Sequence, residues 1–249
     1  MSWRRRAGQG LRVLAILSVI AWVLPPLQVI SVRFADPTVT PTMVGQAVGG
    51  AWQSGWVAPS HTTMRLEALG EHVPAMVVSA EDQTFFLHSG FDDRQICAAI
   101  EDWQGGERLR GASTISQQVA RNLFLWQGGG FARKGLEAVY TVWLELLVPK
   151  KRILEIYLNI AETGPVTFGF EAAAQRWYGR PAAALTRDQA ARLATLLPAP
   201  TSRDSTSAAS GRRAQWVLRN PAPVPWRAGF EDAGRAWAGR EARLPDCLL

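Results

Sequence analysis

Residues 13–30 carry no charged side chain, and the stretch before them holds Arg4, Arg5, Arg6 and Arg12 with no acid. As an α-helix rising about 1.5 Å per residue, that run is roughly 27 Å long, close to the hydrocarbon thickness of a bilayer. It can cross a membrane once. The arginines before it predict a cytoplasmic N-terminus, with everything after Arg33 exported. A cleavable export signal has the same order of charge and apolar run. Here Pro25, Pro26, Gln28 and Arg33 interrupt the end of the run and no small-x-small cleavage site follows, so a retained anchor is expected. The expected organisation is a basic cytoplasmic segment (1–10), a transmembrane anchor (11–32), a Gly-rich apolar connector near the membrane (33–60), one globular domain (61–220) and a tail of unassigned use (221–249).

Residues 1–33 contribute five positive charges to a net charge of +6, and the rest is nearly neutral, with 22 basic and 21 acidic residues. That argues against a nucleic-acid-binding domain, whose basicity is spread over the fold, so no nucleic-acid partner is expected. The remaining basicity is local: eight basic residues against three acids lie between Glu107 and Arg152, an anion-attracting segment. Beyond the anchor the pattern is mainly α. Apolar residues recur at three and four over 84–103, 114–125, 131–147, 151–159, 170–178 and 187–197, and no alternating strand stands out.

Three polar clusters interrupt this pattern. Glu81 and Asp82 follow the apolar Val77 and Val78 and are followed by Phe85, Phe86, His88 and Asp92, a spacing that reads as a charged helix start or as a partly desolvated carboxylate suited to proton transfer. Next, Ser113, Thr114, Gln117, Gln118, Arg121 and Asn122 lie on adjoining faces of a helix beginning near Ser113. Hydroxyls and free amides at a helix start, with an arginine further on, can hold an anion; they also read as an N-cap with a polar surface. Two consecutive glutamines beside the apolar Ile115, Val119 and Leu123 need partners. Third, Arg133 and Lys134 share a helix face with Glu137 at spacings of four and three, a surface ion pair or a cation cluster.

In this order and spacing the clusters resemble the motifs of the peptidoglycan glycosyltransferases, family 51 of the glycosyltransferases, and within it the monofunctional biosynthetic transglycosylases. Residues 81–92 resemble the motif Glu-Asp-x-x-Phe-x-x-His-x-Gly-Phe-Asp and residues 111–122 the motif Gly-x-Ser-Thr-Ile-x-Gln-Gln-x-x-Lys-Asn. Residues 133–137 resemble Arg-Lys-x-x-Glu, residues 153–159 the fourth motif, and residues 185–200 a fifth ending in Leu-Pro-x-Pro. Two positions depart from the pattern: Arg121 stands for lysine and Gln189 for glutamate. An arginine keeps the charge but offers a planar fork in place of a compact ammonium.

The resemblance implies a lysozyme-like, two-lobed helical glycosyltransferase domain behind one transmembrane helix, with the connector forming part of a membrane-embedded jaw. It implies polymerisation of lipid II into β-1,4-linked glycan strands with release of undecaprenyl diphosphate. Glu81 is then the general base and Glu137 the second catalytic carboxylate, one that orients cations. Asp82, Phe85 and His88 would hold the acceptor and the base. Ser113, Thr114, Gln117, Gln118 and Asn122 would line the donor site, and Arg121, Arg133 and Lys134 would meet the diphosphate. No cofactor is required, although magnesium or manganese could assist at the diphosphate. The implied partners are lipid II, the growing strand, membrane lipid and other cell-wall synthesis proteins, at the bacterial inner membrane with the domain in the periplasm. No serine is followed three positions later by lysine, the nucleophile pattern of a transpeptidase, so one activity is expected.

Other classes remain. A lysozyme-like hydrolase would use the same carboxylates with water as acceptor, but an uncharged leaving group needs no anion site. A non-catalytic membrane-anchored binding protein would leave the pairing of Glu81 with Glu137 unexplained. His61, His72 and His88 lack ligand spacing, so no metal site is expected. The Gly128–Gly130 run reads as a flexible turn, and its neighbours Phe124, Leu125, Trp126 and Phe131 suit either a core or a membrane surface. A bridge between Cys97 and Cys247 could form in an oxidising compartment, but unpaired cysteines are expected.

Overall fold

The computed structural model describes residues 23–54, 58–106, 113–126, 128–227, 230–232 and 235. Most of the expected anchor therefore lies outside the described residues, and among those described no helix is long and apolar enough to cross a membrane. Residues 23–34 form a helix, α1. It is followed by α2 (Pro41–Ser54), α3 (His72–Glu81), α4 (Asp93–Gln104), α5 (Ile115–Phe124), α6 (Gly130–Leu147), α7 (Lys150–Ile160), α8 (Phe170–Tyr178), α9 (Arg187–Ala194) and α10 (Ala208–Arg219). The chain is mainly α, as its periodicity predicts. Three very short strands were not legible: β1 (Ser60–His61), β2 (Glu162–Gly164) and β3 (Thr167–Phe168) form a sheet in the order β1-β3-β2, parallel between β1 and β3 and antiparallel between β3 and β2. Strands of two or three residues are too short to alternate visibly.

The helix α7 organises the core. Every residue from Ile153 to Ile160 is buried, so the helix is surrounded by protein on all sides. Its two buried polar side chains therefore need partners. Glu155 accepts from the Leu66 N–H at 2.7 Å, and Asn159 both accepts from the Met64 N–H and donates to the Met64 carbonyl at 2.8 Å. These bonds fix the segment before α3. On one side α3 packs on α9 and α9 on α10; on the other α5 packs on α6 and α7.

Arg152, at the start of α7, ties α1 to the domain. Its guanidinium donates to the carbonyls of Val32 (3.1 and 3.0 Å) and Ala35 (2.8 Å) at the C-terminal end of α1 and pairs with Asp36 at 2.7 Å. A cation at that end satisfies carbonyls that the helix cannot, and complements its dipole. Gln189, which stands where the resemblance expects a glutamate, completes a capping box: Thr186 accepts from its N–H at 3.2 Å, and its side-chain oxygen accepts from the Thr186 N–H at 3.0 Å. Glutamine serves this role as glutamate would.

Two expectations are corrected. The helix predicted over 84–103 begins only at Asp93, because the carboxylate of Asp92 accepts from the N–H groups of Arg94 and Gln95, both at 3.1 Å, and caps α4 there. The pair Glu81-Asp82 accordingly ends α3 instead of starting a helix. The cysteines were expected to be unpaired, yet Cys97 is disulfide-bonded. The sequence contains one other cysteine, Cys247, which lies outside the described residues.

Gly169, between β3 and α8, has φ +82°, and a Cβ there would come within 2.6 Å of the Asn159 carbonyl oxygen. Backbone cannot yield as a flexible side chain would. Gly169→Ala is expected to cost about 3 kcal/mol. In a chain of this size that lowers the melting temperature by roughly 10 °C, measurable by tryptophan fluorescence; an unchanged transition would contradict the close approach.

Candidate active site

Glu81 is the last residue of α3, and its carboxylate accepts from Nε2 of Gln118 on α5 at 3.2 Å. The Gln118 oxygen in turn accepts from the hydroxyl of Tyr157 on α7 at 2.9 Å. Both ends of the glutamine amide are thus assigned, and the carboxylate is held by three helices at once. Burial pushes the Glu81 carboxyl above the usual carboxylate range; the Gln118 bond and Arg213 pull it back, Asp82 pushes it up and Arg203 pulls it down. Burial, followed by the charge of Glu81, likewise raises the Tyr157 phenol, which stays a hydrogen-bond donor.

Asp82 points away from Glu81 into the protein and is buried. It accepts from Nε2 of His88 at 2.9 and 3.1 Å and from the Ile115 N–H, in the first turn of α5, at 2.9 Å. The Gly90 N–H donates to Nδ1 of His88 at 3.0 Å, so Nδ1 carries no proton and the ring proton sits on Nε2, directed at Asp82. Gly90 has φ +97° and lies against Thr141 and Glu145, where a Cβ would meet side-chain atoms at 2.9 Å. Phe85 is fully buried, with the Lys150 ammonium 4.4 Å from its ring centre. Lys150 donates to Glu145 at 2.7 Å, and Glu145 also accepts from Ser116. Burial lowers the Lys150 pKa and Glu145 counteracts it.

The second cluster divides. Thr114 and Gln117 form a reciprocal capping box at the start of α5, and the Thr114 hydroxyl also donates to the Gly90 carbonyl at 2.7 Å. Both are buried, as is Asn122. The polar atoms of Thr114 and Gln117 hold the backbone, as the capping reading describes, while the Asn122 side-chain oxygen accepts from Arg121 at 3.5 Å. Asp82, Phe85 and His88 are buried too, and Asp82 with His88 holds the start of α5 from inside the protein. Gln118, Ser113 and Arg121 stay accessible. Arg121, Gln118 and Asn122 border a cavity of about 150 Å³ with Thr42, Tyr157 and Glu162.

The third cluster forms as its spacing requires. Glu137 is 1% exposed, pairs with Arg133 at 2.7 Å and takes a second bond from the Lys134 ammonium. Lys134 also donates to the Ser113 hydroxyl at 3.2 Å, and the Ser113 carbonyl accepts from Gln118 at 3.5 Å. Ser113 is therefore the joint between the cations and the amide that holds Glu81. Glu137 gives one oxygen to each cation and so anchors their charge. Sequence reasoning missed Tyr157, Lys150, Arg203 and Arg213, which lie on other elements, and Glu145, which lies on α6 two turns beyond Glu137. Among the described residues no group of three His, Cys, Asp or Glu could hold a metal ion.

The model of the transglycosylase family matches residues 51–222, which contain all three polar clusters and Tyr157. This chain belongs to the transglycosylase family. Among its relatives, a biosynthetic peptidoglycan transglycosylase of Xylella fastidiosa (strain M23) is 43% identical over 234 residues, 93% of this chain and 88% of that protein. Proteins of the same name from Xanthomonas euvesicatoria and Xanthomonas oryzae are 44% identical over 218 and 219 residues, 86% and 87% of this chain and 88% of each relative.

If Asp82 is a structural hub of this family member, Asp82→Ala strands a buried imidazole and a buried N–H. It is expected to destabilise the protein by about 3 kcal/mol. A chemical denaturation midpoint equal to that of the parent would refute the hub.

Proposed function

We propose that this protein is a monofunctional peptidoglycan glycosyltransferase of cell-wall synthesis, polymerising lipid II into β-1,4-linked glycan strands and releasing undecaprenyl diphosphate. The observation that carries the reading is the pair of opposed charges on either side of Ser113. On one side is a partly buried carboxylate with a raised pKa, on the other a cation cluster fixed by a buried glutamate. The relatives' name points to the same reaction.

Glu81, as general base, takes the proton from the 4-hydroxyl of the acceptor sugar while that oxygen attacks C1 of the growing strand from the face opposite the diphosphate. The C1–O bond to the diphosphate breaks, the anomeric centre inverts, and the leaving group departs with its negative charge. Arg133 and Lys134, with Arg121 nearby, meet that charge as it develops. Glu137 holds the first two cations in place, and Gln118 and Tyr157 keep Glu81 ionised and aimed. A magnesium or manganese ion, where one takes part, would be held by the diphosphate oxygens of the substrate. The hydrolase reading is less favoured, because it gives the cations and Glu137 no task.

The lysozyme-like two-lobed architecture, the transmembrane anchor and the bacterial inner-membrane location belong to the same proposal. Phe131, Leu136, Val139, Val142 and Leu146 leave one face of α6 exposed, and Val23, Leu24, Leu27, Ile30 and Phe34 do so on α1. Apolar surface of that extent suits contact with lipid. The two helices touch, since Tyr140 bonds to Gln28 and Arg33 donates to the Leu147 carbonyl at 2.7 Å. The Cys97 disulfide fits an oxidising compartment such as the periplasm.

With purified protein and lipid II in detergent, long glycan strands are the expected product, and shortening of preformed strands would replace this reading by the hydrolase. Glu81→Gln is expected to lower turnover at least about a hundredfold, the usual worth of a general base. The rate should fall as pH drops through the raised pKa of Glu81. Gln118→Ala removes a bond that favours the ionised form, so the acid limb should move to higher pH; a limb that stays put would separate Gln118 from Glu81. Replacing Val142 and Leu146 by serine should raise KM several-fold for lipid II in vesicles and leave the detergent rate unchanged, whereas equal effects in both would reject the lipid-facing role. A reporter fused after Leu249 should be active only outside the cytoplasm, and activity inside would overturn the orientation.

A further inference from the structure

Beyond α10 the chain reverses and runs back over the end of α3. The Asn220 carbonyl accepts from Gln83 at 3.2 Å, and the Ala222 N–H donates to the buried hydroxyl of Ser79 at 2.9 Å. Ala222 and Val224 are buried against the core. Trp226 and Phe230 then come edge-on to Phe86, with ring centres 5.8 and 6.3 Å away and interplanar angles of 85° and 87°. Phe86 meets Phe85 edge-on at 4.9 Å, and Phe85 meets His88 edge-on at 6.4 Å. A continuous line of rings therefore runs from Trp226 and Phe230 through Phe86 and Phe85 to His88 and its partner Asp82, next to Glu81.

The family model's match ends at Ala222, just before the two outer rings, whereas the alignment with the Xylella relative covers 93% of this chain and includes them. The segment they brace, residues 82–92, contains no helix and is held by a few backbone turn bonds and by its side chains. Edge-to-face ring pairs have a preferred geometry, which lets them resist a sideways shift of their neighbour as well as bury area. A sideways shift of Phe86 would be passed through Phe85 and His88 to Asp82 and so to the carboxylate beside it. Sub-ångström placement of a general base matters to rate far more than to fold.

We propose that Trp226, with Phe230, is a positioning residue for Glu81, acting through Phe86, Phe85 and His88 to hold the 82–92 segment that sets the base. This rests on the reading of Glu81 as the base. The charged and titratable groups around Glu81 are Asp82 beside it, Arg203 and Arg213 from the α9–α10 side, and Tyr157 from α7 beyond the uncharged Gln118 of α5. None of these is touched by changing Trp226, so any movement of the Glu81 titration in such a variant reports the segment's position.

The test compares full-length Trp226→Ala, Phe230→Ala and Trp226→Phe with the parent in two measurements. The first is lipid II polymerisation across pH. Trp226→Ala is expected to lose about tenfold in kcat with KM changed by less than about twofold, since a misplaced base slows chemistry and leaves binding. Its acid limb should move to lower pH as the carboxylate becomes better hydrated. Phe230→Ala should show a smaller loss in the same direction, and Trp226→Phe should restore most of the rate. The second is hydrogen exchange, which should quicken over residues 82–92 in Trp226→Ala. An unchanged kcat and acid limb, or quickened exchange confined to residues 220–232, overturns the proposal. Parent protein that makes no strands while exchange over 82–92 still responds to Trp226→Ala would reject the glycosyltransferase reading and keep the brace as a structural link only.

Discussion

The buried carboxylate of Asp82 is the point on which the site depends. It joins the end of α3 to the first turn of α5 through the Ile115 N–H and secures His88 in one tautomer. Those two bonds fix the separation of the helices that carry Glu81 and Gln118. A buried carboxylate is expensive to desolvate unless hydrogen bonds satisfy it, and here a backbone donor and a ring donor do so. Because every partner is itself held, by Gly90 on His88 and by the Thr114–Gln117 box on the start of α5, the arrangement has little freedom to relax. Rigidity behind the cleft is what allows the exposed residues to be few.

That division explains why so many polar residues of the motifs are buried. Asp82, His88, Thr114, Gln117, Asn122 and Glu137 are all buried. Each satisfies backbone or a charged neighbour, and together they present Glu81, Gln118, Ser113, Arg121 and Lys134. Glu137 is the clearest case. An arginine and a lysine next to each other repel, and a buried acid bonded to both allows the two charges to sit together before any anion arrives. The cations are then already oriented when a diphosphate enters, so their reorganisation does not add to the barrier.

The sequence made some of this legible and not the rest, for physical reasons. The i, i+3 and i, i+4 spacing of Arg133, Lys134 and Glu137 lies within one helix, so local geometry alone dictates their contact. Gln118 had only a hint, two amides beside apolar neighbours, and needed Tyr157 from another helix to be explained. The Glu81-Asp82 pair suits the start of a helix as well as a desolvated carboxylate, because acids favour that end. In fact Asp82 serves the start of a different helix, α5, across 33 residues of chain. Periodicity cannot see such a link. The β hairpin was lost because its strands are too short to show a period, and the disulfide because a single cysteine in an apolar helix looks like packing.

The separation of charge around Ser113 has a further consequence for the base. A carboxylate placed directly against Lys134 and Arg133 would be held ionised too firmly to accept a proton, since an adjacent cation lowers its pKa. Here Glu137 takes up those two cations, and Gln118, which is uncharged, is the group that touches Glu81. Burial can then raise the basicity of Glu81 while the positive charge remains one residue away for the leaving group. In the proposed reaction the two carboxylates divide the labour: one is paired with cations that would serve the departing anion, and the other, bonded to an uncharged amide, would take the proton.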